Sequence, residues 1–448
     1  MNTLQRRFAA GAIGGTLALA ALGATRAPLK YSDTTLPNGL RVIIAEDHTA
    51  PVFSVVVNYD VGSRNEREGR TGFAHLFEHM MFKGSENVGQ GEHPYLMFMN
   101  GGNMNGTTNK DRTIYYETLP ANQLDLALFL EADRMRSLAI TKENLENQIN
   151  AVQEERRLGV DNAPYGRVND TLAKLEYGNF AYGHSTIGSM ADLSAASVED
   201  VAQFFKTYYA PNNATLAIVG DVDAKTALEK VKKYFGAIPR QPKPPAVDMS
   251  EAPQTEEHRV MLTDPLARLP RIDMGYKGPA GSSADYEALS VLSTILSGGR
   301  SSRFYENIVR QKQLATNVSA FIPETRGPAL FTIIASPTPN ASIADVEAAI
   351  TAELERIKTG PITDAELEKA RVASERGVVS VMGSTLGRAV NLSQNAIFYN
   401  QPDRFTHDTE RTAKVTAADI QRVVAKYLVP TNRTVVISMP KAPARGGL

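Results

Sequence analysis

The chain has no cysteine. That excludes a disulfide framework and thiolate ligation, so a zinc ion would have to be held by His, Asp or Glu. An excess of either charge is missing too: 48 Lys and Arg stand against 49 Asp and Glu. The charges are well mixed, and no basic block marks a nucleic-acid partner. Beyond the first residues no apolar stretch could span a membrane. Histidine is scarce, with seven in 448 residues. At this length two or more domains with sizeable cores are expected.

The one apolar run lies at the start. Arg6 and Arg7 precede a run of small and apolar residues from Phe8 to Leu22, and Gly23, Ala24 and Ala27 follow where a peptidase would cut. Residues 1–27 read as an export signal that is removed. Arg6-Arg7-Phe8 carries only the beginning of a twin-arginine pattern, so the ordinary secretory route is expected. A cysteine-free exported chain fits a bacterial periplasm, with no membrane association after removal.

One pair of the seven histidines sits four residues apart with a carboxylate between: His75 and His79, in His75-Leu76-Phe77-Glu78-His79. Phe73, Leu76, Phe77, Met80 and Met81 recur at helical spacing, which predicts a buried amphipathic helix with Gly84 as a stop. On it the two imidazoles are one turn apart on one face and can converge on one ion. Glu78 lies beside that position without needing to be a ligand, where a general base for an activated water belongs. The order is that of the H-x-x-E-H inverzincin signature. Satisfied core histidines are the plainer alternative. Against them stands the cost of burying unpartnered polar groups, about 1–3 kcal/mol each, which an ion removes.

Leu40–Ala45 and Val52–Tyr59 are β-branched runs read as strands. Residues 84–106, rich in glycine and polar side chains, read as a loop near the site, and 107–119 as a strand. Helices are expected over 124–138 and 143–158. A repeat follows: Asp200 to Pro211 and Asp419 to Pro430 share one spacing, 219 residues apart, and each Pro leads into an apolar strand. This predicts two homologous α/β (α+β) domains, each an antiparallel sheet layered with helices. They span 28–238 and 258–440, with a proline-rich extended linker at 239–257 and a tail at 441–448. The same offset carries His75–His79 onto Thr294–Gly298, where no metal ligand stands. Only the first domain is built to hold an ion.

Catalytic zinc wants three protein ligands. On the predicted helix containing ENLENQINAVQEERRLG, Gln148, Val152 and Glu155 share a face, and Glu154 points about 100° away. By geometry alone Glu155 could equally belong to a solvated face.

HLFEHMMFKG, NGTTNKDRTIYYETLP, AVQEERR and GGRSSRFY together resemble the pitrilysin-type zinc peptidases, the M16 family of insulin-degrading enzyme and the mitochondrial processing peptidase. The likeness covers nearly all of the mature chain. It implies a third ligand about 75 residues after the second His, and 75 residues lie between His79 and Glu155; Glu154 is the next candidate. It also implies one Zn²⁺ per chain, a fold forming half of a clamshell, and peptides bound as an added strand along Asn105, Gly106 and Thr107.

Two departures stand out. Gln148 replaces an acid found in many relatives, on the face of Glu155, where it would tune the metal from behind the ligands. Arg310 matches a substrate-binding Arg of catalytically complete members, but Thr316 stands where their Tyr would align. The resemblance therefore implies a zinc endopeptidase acting on peptides or small unfolded polypeptides. It would be the zinc-bearing subunit of a dimer, a heterodimer whose homologous partner supplies the Arg/Tyr pair. The alternative is a non-catalytic peptide-binding or structural subunit of the same fold.

Overall fold

A computed structural model describes residues 28–441; residues 1–27, where an export signal is expected, and residues 442–448 lie outside the described part. The first half carries β1 (Ser32–Thr35), β2 (Arg41–Glu46), β3 (Val52–Tyr59), β4 (Asn103–Thr108), β5 (Thr113–Pro120) and β6 (Ala214–Gly220). They form a six-stranded sheet of order β1-β2-β6-β3-β5-β4. The second half carries β7 (His258–Asp264), β8 (Arg271–Lys277), β9 (Ala315–Phe321), β10 (Leu330–Pro337) and β11 (Arg433–Pro440), in the order β7-β11-β8-β10-β9. With β1 set aside the two orders are the same path. β6 and β11 begin 219 residues apart, so the duplication is visible strand by strand.

The sheets are antiparallel except at one pairing each. β2 runs parallel to β6, and β7 parallel to β11, because each of these partners returns only after a long helical excursion. Of the antiparallel pairs, β4 and β5 are joined by a tight turn, whereas β3 pairs with β5 and β6 across long intervening stretches. The strand expected over 107–119 is a hairpin: Thr107 and Thr108 end β4, Asn109–Arg112 turn, and β5 follows. The expected loop over 84–106 is mostly ordered as a helix, α2 below, and as β4.

Five helices of the first half matter for the site: α1 (Phe73–Met80), α2 (Glu92–Met99), α3 (Leu124–Ser137), α4 (Lys142–Arg156) and α5 (Val168–Glu176). β3 is buried almost throughout, because both faces of the sheet are covered. Phe53, Val55 and Val57 face the main core with Leu76 and Phe77 of α1. Val56, with Ile43 and Val219, faces the other way, onto Ala389, Leu392 and Ala396. Those three residues sit on a helix of the second half, Thr385–Tyr399. The exchange is mutual, since Val168 and Leu172 of α5 pack on Val436 of β11. Each half thus lends a helix to the other's sheet. Residues 239–257 contain neither helix nor strand but are anchored: Glu251 accepts from the Gly178 and Asn179 amides and from Lys277.

Candidate metal centre

α1 begins at Gly72, whose left-handed backbone (φ +87°) only glycine adopts without strain. No side chain of Gly72 can cap the helix, so Glu66 does so from a distance. Its two carboxylate oxygens accept from the Gly72 and Ala74 amides, each at 2.8 Å. Phe73, Leu76, Phe77 and Met80 face the core, which leaves His75 and His79 on the adjoining face with ring centroids 4.8 Å apart.

α4 packs beside α1. Thr141 caps it by accepting from the Asn144 amide at 3.1 Å, and Val152 and Gln148 are buried beneath it. This rotation turns Glu155 onto the histidines: Oε1 is 3.6 Å from His75 Nε2, and Oε2 is 3.3 Å from His79 Nε2. Bonds of about 2.0–2.1 Å in a tetrahedron place ligand atoms about 3.3 Å apart, close to both separations of Glu155 from the histidines, so the chemistry and spacing of this donor set fit zinc. Burial pushes His75 down to about 4 and lowers His79 as well, which leaves both imidazoles neutral, the form that ligates. Gln148 lies near enough to His79 to oppose the lowering by burial, and its side-chain amide donates to Asn147. Glu154 points away and pairs with Arg157 at 3.0 Å.

Glu78 is raised above the ordinary carboxylate range, chiefly by burial, against a hydrogen bond from Thr108 and the charge of Arg112. Its Oε2 is buried without a partner. Beside it runs β4, the edge strand, with one side free. A Cβ added to Gly106 would lie 2.9 Å from Glu78 Cγ, so glycine permits the contact. Asn105 and Thr107 are exposed on the same strand; the Thr107 carbonyl accepts from Arg112 at 2.9 Å.

Arg310 is elsewhere. It lies on the second half, 61% exposed, and pairs with Glu306 one turn away. Thr316, on edge strand β9, donates to the Ser336 carbonyl at 3.2 Å. Neither is joined to the donor set within this chain.

A second polar cluster escaped the sequence reading. His93 of α2 is 2.6 Å from Glu117 of β5, and Glu131 and Arg134 of α3 close the group, all buried. Burial raises Glu117 and Glu131 to about 7 and lowers His93 to about 3. Arg134 engages both oxygens of Glu131, so a divalent cation would displace an existing ion pair. The group fits a structural network. The spacing of Glu131 and Arg134 on one helix face was the available signal.

The sequence profile described as Insulinase (Peptidase family M16) matches residues 41–189, and that described as Peptidase M16 inactive domain matches 195–373. The second match straddles the linker. Over 414 residues the chain is 31% identical to the zinc protease PqqE of Helicobacter pylori, covering 92% of this chain and 93% of that protein. The chain belongs to the M16 peptidase family. Among solved structures, a protease from Helicobacter pylori superposes with a TM-score of 0.87 at 30% identity, covering 92% of this chain and all of that one (100%). The periplasmic protease PqqL of Escherichia coli shares the fold (TM-score 0.76, 18% identity), but 92% of this M16 chain covers only 49% of it. The M16 chain described here thus has the extent of half of that longer fold. No helix among its described residues is long and apolar enough to cross a membrane.

Proposed function

We propose that the chain is a zinc-dependent endopeptidase that hydrolyses peptides or small unfolded polypeptides in the periplasm after removal of residues 1–27. His75, His79 and Glu155 would hold one Zn²⁺. The observation that carries the reading is the buried, unpartnered Oε2 of Glu78, set between that donor set and the free edge of β4.

Zinc, when bound, supplies a Lewis acid that acidifies water and polarises the scissile carbonyl. The chain's own residues do the rest. A peptide adds to β4 through its main chain, which gives affinity without strict sequence preference and lays the scissile bond past Gly106. Glu78 takes a proton from the attacking water at Oε2 and delivers it to the leaving amide nitrogen. Burial makes Glu78 a stronger base than a solvated carboxylate, and the absence of a partner on Oε2 leaves that oxygen free to accept. Gln148 lies beside His79, and burial lowers both imidazoles, which keeps their lone pairs available.

Among the described residues, Arg310 and Thr316 do not join the donor set. Arg310 is turned onto Glu306, and Thr316 is too short to act as a phenol would. The chain would therefore work as the zinc-bearing member of a dimer, and a homologous partner would bring an Arg/Tyr pair to the substrate. The same two residues favour the second reading, a peptide-binding subunit without turnover. Zinc content and cleavage of a mixed peptide library, with and without a homologous partner chain, separate the two. Stoichiometric zinc with cleavage that rises in the mixture is expected. Glu78→Gln should keep the zinc and lose turnover by about 10²–10⁴-fold; an active Glu78→Gln chain would remove Glu78 from the mechanism.

A further inference from the structure

Two helices carry the donor set, and one stretch of chain touches an end of each. In residues 177–188 the backbone of Ile187 and Gly188 lies directly against the start of α1. A Cβ on Gly72 would come 2.6 Å from the Ile187 carbonyl oxygen, and one on Gly188 would come 2.5 Å from Gly72 Cα. The Gly188 carbonyl accepts at 2.6 Å from Arg156, the residue after Glu155 at the end of α4. His184 lies earlier in the stretch, its Nδ1 2.7 Å from the Phe180 carbonyl oxygen and its Nε2 2.9 Å from Glu66 Oε2. Glu66 is the carboxylate that caps α1.

The other end of the stretch is fastened to the second half. Tyr177 donates its hydroxyl to the Pro328 carbonyl at 3.0 Å. The Tyr182 hydroxyl donates to Asp111 and accepts from the Gly327 amide at 3.0 Å. Through Glu251 the Gly178 and Asn179 amides are tied to Lys277 as well. Tyr182, held by the second half, is next but one to His184, which grips the cap of α1.

We propose that residues 177–188 form a strap by which docking of the second, donor-free half sets the placement of the zinc ligands, with Glu66 and His184 as its positioning residues. The inference rests on the reading that His75, His79 and Glu155 hold zinc. α1 is only two turns long and has no cap of its own beyond Glu66; its apolar face is held by the core, and what grips its first turn sets the remaining freedom of that end. Releasing that grip changes the spacing of His75 and His79 relative to Glu155. A partner bonded directly to a metal ligand is worth typically about 10–100-fold in affinity, and the strap acts one contact further out.

Zinc affinity of the full chain, measured by chelator competition, tests this together with amide exchange of residues 72–76 in metal-free protein. His184→Leu should weaken zinc by about 3–30-fold and speed exchange at Gly72 and Ala74, and His184→Gln, whose amide can still donate to Glu66, should restore most of the loss. Tyr182→Phe removes only the distant hydroxyl and should weaken zinc by about 3–10-fold. The inference is overturned if His184→Leu and Tyr182→Phe both hold zinc within about twofold of the parent and leave exchange over 72–76 unchanged. If His184→Leu does not fold, Tyr182→Phe and the exchange rates decide. A chain that binds zinc but cleaves nothing would sink the proposed activity and leave the strap standing. Unchanged affinity in an active enzyme would do the reverse.

Discussion

Gly106 on the edge strand and Glu78 on α1 are in van der Waals contact, with no room between them for a methyl group: a Cβ at 106 would lie 2.9 Å from Glu78 Cγ and 3.3 Å from Oε1. The strand that would receive a peptide and the carboxylate that would move its proton are therefore set against each other by the smallest residue available. Their separation is part of the site's geometry.

Gly106→Ala should accordingly disturb turnover more than folding or metal content. The new methyl must push Glu78 aside or lift β4, and a displacement of about 1 Å at a reacting group costs on the order of 10²-fold in rate. Kinetics on a short peptide beside zinc analysis checks this. Unchanged kcat/KM with full zinc would mean that Glu78 or β4 is not where the reaction occurs.

Glu154 and Glu155 are neighbours in sequence with opposite expected behaviour. Glu155 reaches both histidines at 3.3 and 3.6 Å, whereas Glu154 pairs with Arg157 on an exposed face. Glu155→Gln should lose stoichiometric zinc at micromolar free metal. Glu154→Gln should keep it, with a stability change under about 1 kcal/mol, as for other surface ion pairs. Equal zinc loss in both variants would contradict the assignment of Glu155.

Some of this was legible in the residues and some was not, for physical reasons. His75, Glu78 and His79 fall within one turn and a third of helix, so spacing alone predicts that they converge. The duplicated Pro211 and Pro430 each open a strand, and the repeat placed both. Residue pattern alone did not mark the start of β4, because Asn-Met-Asn-Gly-Thr-Thr is an edge strand with much of its length exposed and lacks apolar alternation; only the family resemblance pointed to an edge at Asn105–Thr107. α2 was hidden by Gly91 and Pro94, though a proline in the first turn of a helix breaks no hydrogen bond. The packing of Ala389 and Leu392 onto Ile43, Val56 and Val219 of the first sheet joins segments far apart in the chain, and no local period reports such a contact.

The buried cluster of His93, Glu117, Glu131 and Arg134 should show itself in stability against pH. Burial holds Glu117 and Glu131 near about 7 in the folded chain, above the value of 4.5 for a solvated Glu. The folded state thus holds more protons on these groups than the unfolded state. Their contribution is full below about 4.5 and is lost as pH rises through about 7. His93 works in the opposite sense: lowered to about 3 from 6.5, it contributes fully above 6.5 and loses that contribution as pH falls. In Glu117→Gln the amide oxygen can still accept from His93, and the carboxyl that must ionise in the dark is gone. The variant should therefore gain on the parent as pH rises from about 5 to about 8, by on the order of 2 kcal/mol, which thermal melts at matched ionic strength can resolve. A difference that stays flat across that range would mean that Glu117 is ionised throughout, with Arg134 rather than a proton balancing its charge.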